Sequence, residues 1–549
     1  RWKYVTHSMI SNATSDNAAQ MKIAVNSNYL MQELRARAQQ CDIVVTNHAL
    51  LLVDMQNDFA IFPQITNWIV DESHGFSETA RTMWAKSAHP RLIRETTRAL
   101  GSARAGLLSS VVHLFAHSDQ KALIHSIVYP LFDALEALDT CTQATFARLA
   151  DVHVPDAQNA YYDTAQTRSV RIDAAIRADN AWQLFCAAAQ ELMVQLHDAA
   201  RALGKLAAQL KQTPASDFIK DIASCASTLQ DFEQTLQFVC VGGDDSYVYT
   251  LDISTAMHTT SYGVSATCLD VGGRLAALWY NEMDSVVFTS ATLSIDSSFS
   301  YFKHAVGLDL LADERVNSCS VPPVFRYDEN MCVLVPSNMA LPGEQAYRRE
   351  LEDVLFDIHV RMQGSVLTLF TNRRDMEYMH KRLQARLEKE GLELLYQAPK
   401  VSARYLLSRF CKSPHASLMA LKTFWEGIDA PGATLRCVVI TRLPFAPPDE
   451  PVMQELMSRN SRAWWTVCLP EAVMQVKQAA GRLIRTSHDA GFIVLADGRV
   501  CHKNYGKVFL RSLPTQHYTQ VTRETIGSVM ALWQQSHPAA APQACDNEV

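Results

Sequence analysis

Trp68-Ile69-Val70-Asp71-Glu72-Ser73-His74 runs from three large apolar residues straight into two adjacent carboxylates. A short run that is apolar on both faces reads as a buried parallel strand. Ligands of open α/β sheets lie at the carboxyl ends of such strands, so the polar end is where chemistry belongs. Asp71 is placed to hold Mg²⁺ through its water shell. Glu72 is placed to orient or deprotonate an attacking water, and His74 to link that site to neighbouring loops. A strand followed by a solvated Asp-Glu turn fits the same residues.

Six further runs predict strands of the same kind: 43–45, 286–288, 366–370, 418–421, 438–440 and 492–495. Most end in small or polar residues, as in Thr289-Ser290-Ala291-Thr292 and Thr371-Asn372-Arg373-Arg374. Strands on both sides of residue 300 predict two similar α/β halves. Between Ala85 and about Val241 the texture turns to Ala, Leu and Gln at helical spacing, which predicts a mostly helical insertion of roughly 150 residues. Strand character returns at Tyr247. The tail, with Pro538 and Pro542, reads as disordered.

Of 549 residues 48% are hydrophobic and 19% charged, which suits several packed cores and excludes a disordered or fibrous chain. Fifty Lys and Arg against 57 Asp and Glu give a net charge of −7, so any nucleic-acid surface must be a local groove. Thirteen scattered cysteines without a C-x-x-C pair suit reduced thiols in a cytoplasm and disfavour a zinc ribbon. No apolar run approaches the roughly 18 residues that a membrane span needs.

In Gln478-Ala479-Ala480-Gly481-Arg482-Leu483-Ile484-Arg485 the spacing of Gln478, Arg482 and Arg485 predicts one helix face. Two arginines there could clamp a transferring phosphoryl group. Gly481 would let that helix approach a neighbour closely. In Phe424-Trp425-Glu426-Gly427-Ile428-Asp429, Gly427 allows close backbone approach and Asp429 could bond a ribose; a plain strand exit fits as well. Ser290 and Thr292 could relay hydrogen bonds from the carboxylates.

Taken together, these motifs resemble the superfamily 2 helicases, and in particular the DinG/XPD-like DNA helicases. Asp71 to His74 looks like the DEAH box, with Ser73 in place of its alanine. Thr289 to Thr292 looks like motif III, Phe424 to Asp429 like motif V, and Gln478 to Arg485 like motif VI. Val45-Thr46-Asn47-His48-Ala49-Leu50-Leu51, Arg442-Leu443-Pro444-Phe445 and Tyr505-Gly506 add DinG-like detail. The resemblance implies two RecA-like parallel-sheet motor domains with a helical arch insertion in the first. Their boundaries would be 1–84 and 246–300 for the first motor domain, 85–245 for the arch, 301–535 for the second motor domain and 536–549 for the tail. It implies ATP and Mg²⁺, and a monomer moving 5′ to 3′ on single-stranded or partially duplex DNA, including R-loops.

The sequence also departs from that pattern. No G-x-x-x-x-G-K-[ST] phosphate loop occurs, and Arg1 is not Met, so the expectation is a record that begins downstream of the loop and binds ATP poorly. The alternative is an ATPase-defective module that binds single-stranded DNA or a partner. Ala24 to Leu30 carries no cysteine where many relatives place one, and Cys41 alone precedes the DEAH-like box, so no iron–sulfur cluster is expected. A cluster-free relative resembles the branch associated with type IV CRISPR systems, which would imply a guide-RNA effector complex as partner. Candidate DNA contacts are Arg91, Arg94 and Arg98 on one helix face, Thr371 and Arg373 after a strand, and Trp464 and Trp465 as stacking rings. A solvated face fits the arginines equally well, and burial in a core is the more common fate of adjacent tryptophans.

Overall fold

The computed structural model describes residues 37–38, 40–62, 65–154, 167–211, 213, 215–256, 259–399, 401–421, 424 and 434–537. These fall into two compact units. One takes the described residues within Arg1–Ile65, Phe76–Trp279 and Pro447–Ser461; the other takes those within Thr66–Gly75, Tyr280–Ala446 and Arg462–Val549.

The second unit is built on a seven-stranded sheet in which every neighbouring pair is parallel. Its order is Tyr518–Val521, Met331–Pro336, Gly491–Leu495, Cys437–Ile440, Val366–Leu369, Ala416–Ala420, Glu393–Tyr396. Side chains alternate between two apolar cores. Leu367, Leu369, Val438, Ile440, Ile493 and Leu495 face one; Val366, Cys437, Val439, Phe492 and Val494 face the other. Burial on both faces is why these strands read as unbroken apolar runs. Gly506 permits one tight packing: a Cβ there would overlap the Val500 carbonyl.

The same unit holds a second parallel pair, Asn67–Val70 with Ser285–Phe288, in the register Trp68↔Val286 and Val70↔Phe288. Two predicted strands 218 positions apart thus become neighbours, as the bond from Thr66 Oγ1 to Asp284 also records. Ile69 stays 76% exposed and Val287 50% exposed, so this small sheet has a bare apolar face. Residues 43–45 correct the sequence reading. They form no ladder among the described residues, and Ile43 and Val45 are exposed. An apolar run records a tendency to be buried; a strand also needs an edge to pair with.

The first unit contains the helical segment. Six helices lie between Pro90 and Val241 among the described residues, the longest being Lys121–Ala147, Asn180–Gln209 and Ile219–Val241. Asp179 caps Asn180–Gln209 by accepting from the Ala181 amide at 2.7 Å. Its buried residues, Trp182, Phe185, Ala189, Leu192, Leu196, Ala199 and Leu203, follow three- and four-residue spacing. The strand character at Tyr247 returns as an antiparallel hairpin, Tyr247–Ala256 with Thr259–Cys268. That hairpin pairs with Thr167–Arg171 on one side and Lys86–Ala88 on the other. The boundary read at 245/246 therefore cuts through a sheet that belongs with the helices. Strand pairing across long sequence separation decides this, and composition does not carry it. The final helix, Ile526–Ser536, ends where the tail was expected to begin; the tail itself lies outside the described residues.

Candidate active site

Strand Asn67–Val70 delivers Asp71 and Glu72 to its carboxyl end, beside the end of Ser285–Phe288. The two strand ends are then stitched together. Thr289 donates its amide to the Val70 carbonyl at 2.9 Å, and Ser73 donates both its amide and its hydroxyl to the Thr289 carbonyl, each at 3.1 Å. Ser73 is fully buried. Its hydroxyl, standing where the family pattern has alanine, closes a bond that alanine could not. Glu72 sits at φ +47°, a left-handed conformation that costs a non-glycine residue of order 1 kcal/mol. That turn swings its carboxylate towards the next loop.

There Glu72, His74 and Ser290 form a closed group. Ser290 Oγ donates to Glu72 Oε2 at 3.2 Å, His74 Nδ1 lies 3.1 Å from Ser290 Oγ, and His74 Nδ1 lies 3.2 Å from Glu72 Oε2. Thr292 Oγ1 extends the chain at 3.3 Å from Ser290 Oγ. His74 is largely buried whereas the Glu72 carboxylate is 64% exposed, so the carboxylate keeps an open side towards solvent. Asp71 is exposed and accepts the Glu72 amide at 2.9 Å. A Mg²⁺ ion held by one carboxylate, water and substrate phosphates needs no protein cage, and an exposed Asp71 fits that donor set. Among the described residues no group of three or more His, Cys, Asp and Glu is placed to hold a metal ion by itself.

The helix carrying Gln478 is Leu469–Gly481, and it corrects two expectations. It ends at Gly481 with Arg482 as its cap, so Arg485 lies beyond it and does not share its face. The cause is local. Asp489 Oδ2 accepts the amides of Arg485 and Thr486, both at 2.7 Å, while Leu483 and Ile484 turn into the core. Nor does Gly481 serve a close approach, since a Cβ there would meet nothing within 4 Å. Gln478 is 6% exposed, and its Oε1 has no hydrogen-bond partner among the described residues. A buried acceptor left in that state is one that a bound group would satisfy.

The remaining candidates divide. Gly427 and Asp429 lie outside the described residues. Thr371 is exposed, but Arg373 donates to the Gln397 carbonyl at 2.9 Å. Arg91, Arg94 and Arg98 do sit on one helix, Pro90–Leu100; Arg91 pairs with Glu95 at 2.6 Å and Arg94 with Asp139 at 3.8 Å. Trp465 is 53% exposed and meets the Trp464 ring edge-on at 4.8 Å, so the pair is not simply core.

Residues 355–516 match the family described as helicase C-terminal domain. The chain is 27% identical over 509 residues to a 3'-5' exonuclease DinG of Bacillus subtilis, covering 90% of this chain and 54% of that protein. It is 26% identical over 522 residues to an ATP-dependent DNA helicase YoaA of Escherichia coli, covering 93% and 72%. A solved apo XPD chain superimposes with a TM-score of 0.51 at 15% identity, over 88% of this chain and 83% of that one, which is a likeness of fold. This chain is similar to the DinG/XPD-like superfamily 2 helicases. It spans about half the length of the Bacillus relative. The parallel α/β architecture is the RecA-like one of the XPD fold.

In this DinG/XPD-like chain the structure also singles out residues that the sequence reading missed. Lys477 Nζ donates to the Ser294 carbonyl at 3.0 Å and lies 3.3 Å from Ser294 Oγ, tying the loop after Thr292 to the helix that carries Gln478. Burial pulls its ammonium below the usual lysine range. Tyr301 Oη adds a bond to Glu471 on the same helix at 3.1 Å. Asp497, fully buried, accepts the Leu443 amide at 2.8 Å and Arg499 Nη2 at 2.6 Å, joining two strand ends. A lone lysine within Val476-Lys477-Gln478-Ala479 was the one visible signal.

Proposed function

We propose that this chain is an ATP-driven DNA helicase or translocase that moves 5′ to 3′ on single-stranded DNA and separates duplexes or R-loops. One observation carries the hydrolytic part: the closed Glu72–Ser290–His74 group at the paired strand ends, with the Glu72 carboxylate open to solvent. Asp71 would hold Mg²⁺, which supplies charge neutralisation at the phosphates. Glu72 orients the attacking water, and Ser290 and His74 hold Glu72. Gln478, Arg482 and Arg485 act on the phosphoryl group, and Gly427 and Asp429 on the nucleotide. Thr371, Arg373 and the Arg91, Arg94 and Arg98 helix are the proposed DNA contacts. The helical segment extended through Cys268 is the arch-like insertion, with motor domains on either side in sequence. The protein acts as a cytoplasmic monomer; among the described residues no helix is long and apolar enough to cross a membrane. A guide-RNA effector complex is the proposed partner, and no iron–sulfur cluster takes part.

A second reading has its own observation. The phosphate-loop pattern occurs nowhere in the 549 residues, which favours a module that binds single-stranded DNA without turnover. Oligonucleotide binding and DNA-stimulated phosphate release, measured on this chain, separate the two. Release that DNA stimulates supports the motor. Tight DNA binding with no release supports the module, and neither activity rejects both.

A further inference from the structure

Helix Pro451–Arg459 packs with the first unit, although Ala446 and Arg462, which flank its segment, belong to the second. It lies against strands Thr167–Arg171 and Tyr247–Ala256. Residues directly opposite in a ladder share a face. Thr167, Ser169 and Arg171 stand opposite Ser254, Asp252 and Thr250, and these stand opposite Ser261, Gly263 and Ser265. None of these nine positions carries an apolar side chain. The other face of the same strands is apolar: Leu251, Val264 and Ala88 lie in one cross-strand row and are fully buried. Hydroxyls of the polar face bond to one another and to Asp252. Asp252 Oδ1 accepts from Ser169 at 2.6 Å and from Thr250 at 3.3 Å, its Oδ2 accepts from Ser265, and the Thr167 and Ser254 hydroxyls bond at 2.9 Å.

Arg171 is where this face meets the helix. Its Nη1 donates to Glu455 Oε2 at 2.8 Å and to Ser458 Oγ at 3.1 Å. Glu455 Oε1 accepts Arg459 Nε at 2.6 Å, and Arg459 also donates to the Asp245 carbonyl. One carboxylate therefore joins a guanidinium of the sheet to a guanidinium of the helix. The Arg171 and Glu455 side chains are 24% and 19% exposed, so salt reaches and screens their attraction. The rest of the seam holds less. Pro451 and Met453 are the buried residues of the helix. A cleft of about 520 Å³ is lined by Glu455, Ser458 and Arg459 on the helix side and by Arg171, Asp244 and Tyr249 on the other. A seam with a polar seat, a cleft and few buried apolar side chains opens more readily than a packed core.

We propose that Pro451–Arg459 is a strap that opens and closes over the hydroxyl-lined face, with the Arg171–Glu455 pair as its lock. When the pair is made, the helix is seated. When it breaks, the helix loses its charged anchor, and the nine positions beneath offer no apolar side chain to recapture it. Opening frees the Arg171 guanidinium and the face around it. A free helix of nine residues is marginal in water, so an opened strap frays and its amides exchange with solvent. The device needs neither nucleotide nor DNA, so it stands apart from the function proposed above.

The test is hydrogen exchange read by mass spectrometry on the full chain, at roughly 50 and 500 mM salt. Amides of residues 453–459 should exchange about tenfold faster at the higher salt, while those of helix Asn180–Gln209 keep their rate. At low salt Arg171→Met, which keeps the apolar stem, and Glu455→Gln, which keeps the size, should each reproduce that acceleration. The double variant should exchange no faster than the faster single one, because both substitutions remove the same lock. An unchanged rate in Asn180–Gln209 checks that each variant stays folded. Equal protection of the strap in parent and variants at both salts would overturn the proposal, since the helix would then be a fixed part of the unit. Exchange of the strap together with Asn180–Gln209 would also overturn it, as would effects of the two substitutions that add.

Discussion

Two side chains carry predictions at the scale of single residues. Replacing Glu72 with Gln keeps the size and the bond from Ser290 but removes the charge proposed to orient water. In a phosphate-releasing preparation, turnover should fall by about 100-fold or more while oligonucleotide affinity stays within about twofold. Equal turnover would remove Glu72 from the role proposed here. His359 is fully buried; its Nε2 lies 3.2 Å from Thr368 Oγ1, and its Nδ1 has no hydrogen-bond partner among the described residues. Burial lowers its pKa from 6.5 to about 4. Below pH 6.5 the unfolded chain takes up a proton that the folded chain refuses until about pH 4. Stability from this residue is therefore present above that window and is lost as pH falls through it, by about 2 kcal/mol at pH 5. His359→Leu should flatten the fall in melting temperature between pH 7 and 5; an unchanged slope would place the titration elsewhere.

At the scale of elements, the loop after Thr292 depends on a helix it does not adjoin in sequence. Lys477 gives it a bond from an ammonium, and Tyr301 one to the Glu471 carboxylate, both charge-assisted. Lys477→Met keeps the apolar stem and loses the donor, so amides of residues 289–300 should exchange hydrogen about tenfold faster, a loss of about 1.4 kcal/mol. Unchanged exchange would mean that the Tyr301 bond alone holds the loop. Elements also show how far periodicity reaches. It found strands 366–370, 418–421, 438–440 and 492–495, because strands buried on both faces announce themselves, and 68–70 and 286–288 by their apolar run although one face of that pair is bare. It missed Met331–Pro336, although Met-Cys-Val-Leu-Val is as apolar as the others, and it missed the edge strands Glu393–Tyr396 and Tyr518–Val521. Edges face a mixed environment, so their residues alternate or stay polar.

For the whole molecule, a net charge of −7 means that DNA affinity must come from a local surface. Single-strand binding through about five phosphates should lose affinity with a log–log salt slope of about −3.5. Arg98 is exposed and makes no ion pair with another described residue. Arg98→Glu should therefore reduce that slope by about 0.7, and no change would remove this helix from the DNA path. The site was partly legible. Asp71 and Glu72 stand out because two adjacent carboxylates end an apolar run, and Gln478 because an amide buried in an apolar helix is costly without a partner. Arg485 was misplaced because a helical period says nothing of where a helix stops, and Asp489 stops it.

The sequence by itself determined the class of architecture, the buried strands and the residue types available for phosphate chemistry, since these depend on local pattern and on side-chain chemistry. Only the tertiary structure decided that Ser73 bonds Thr289, that Ser290 joins Glu72 to His74, and that the hairpin 247–268 belongs with the helices. Those pairings span up to 218 positions, and hydrogen bonds between distant strands leave no periodic trace in the residues that make them.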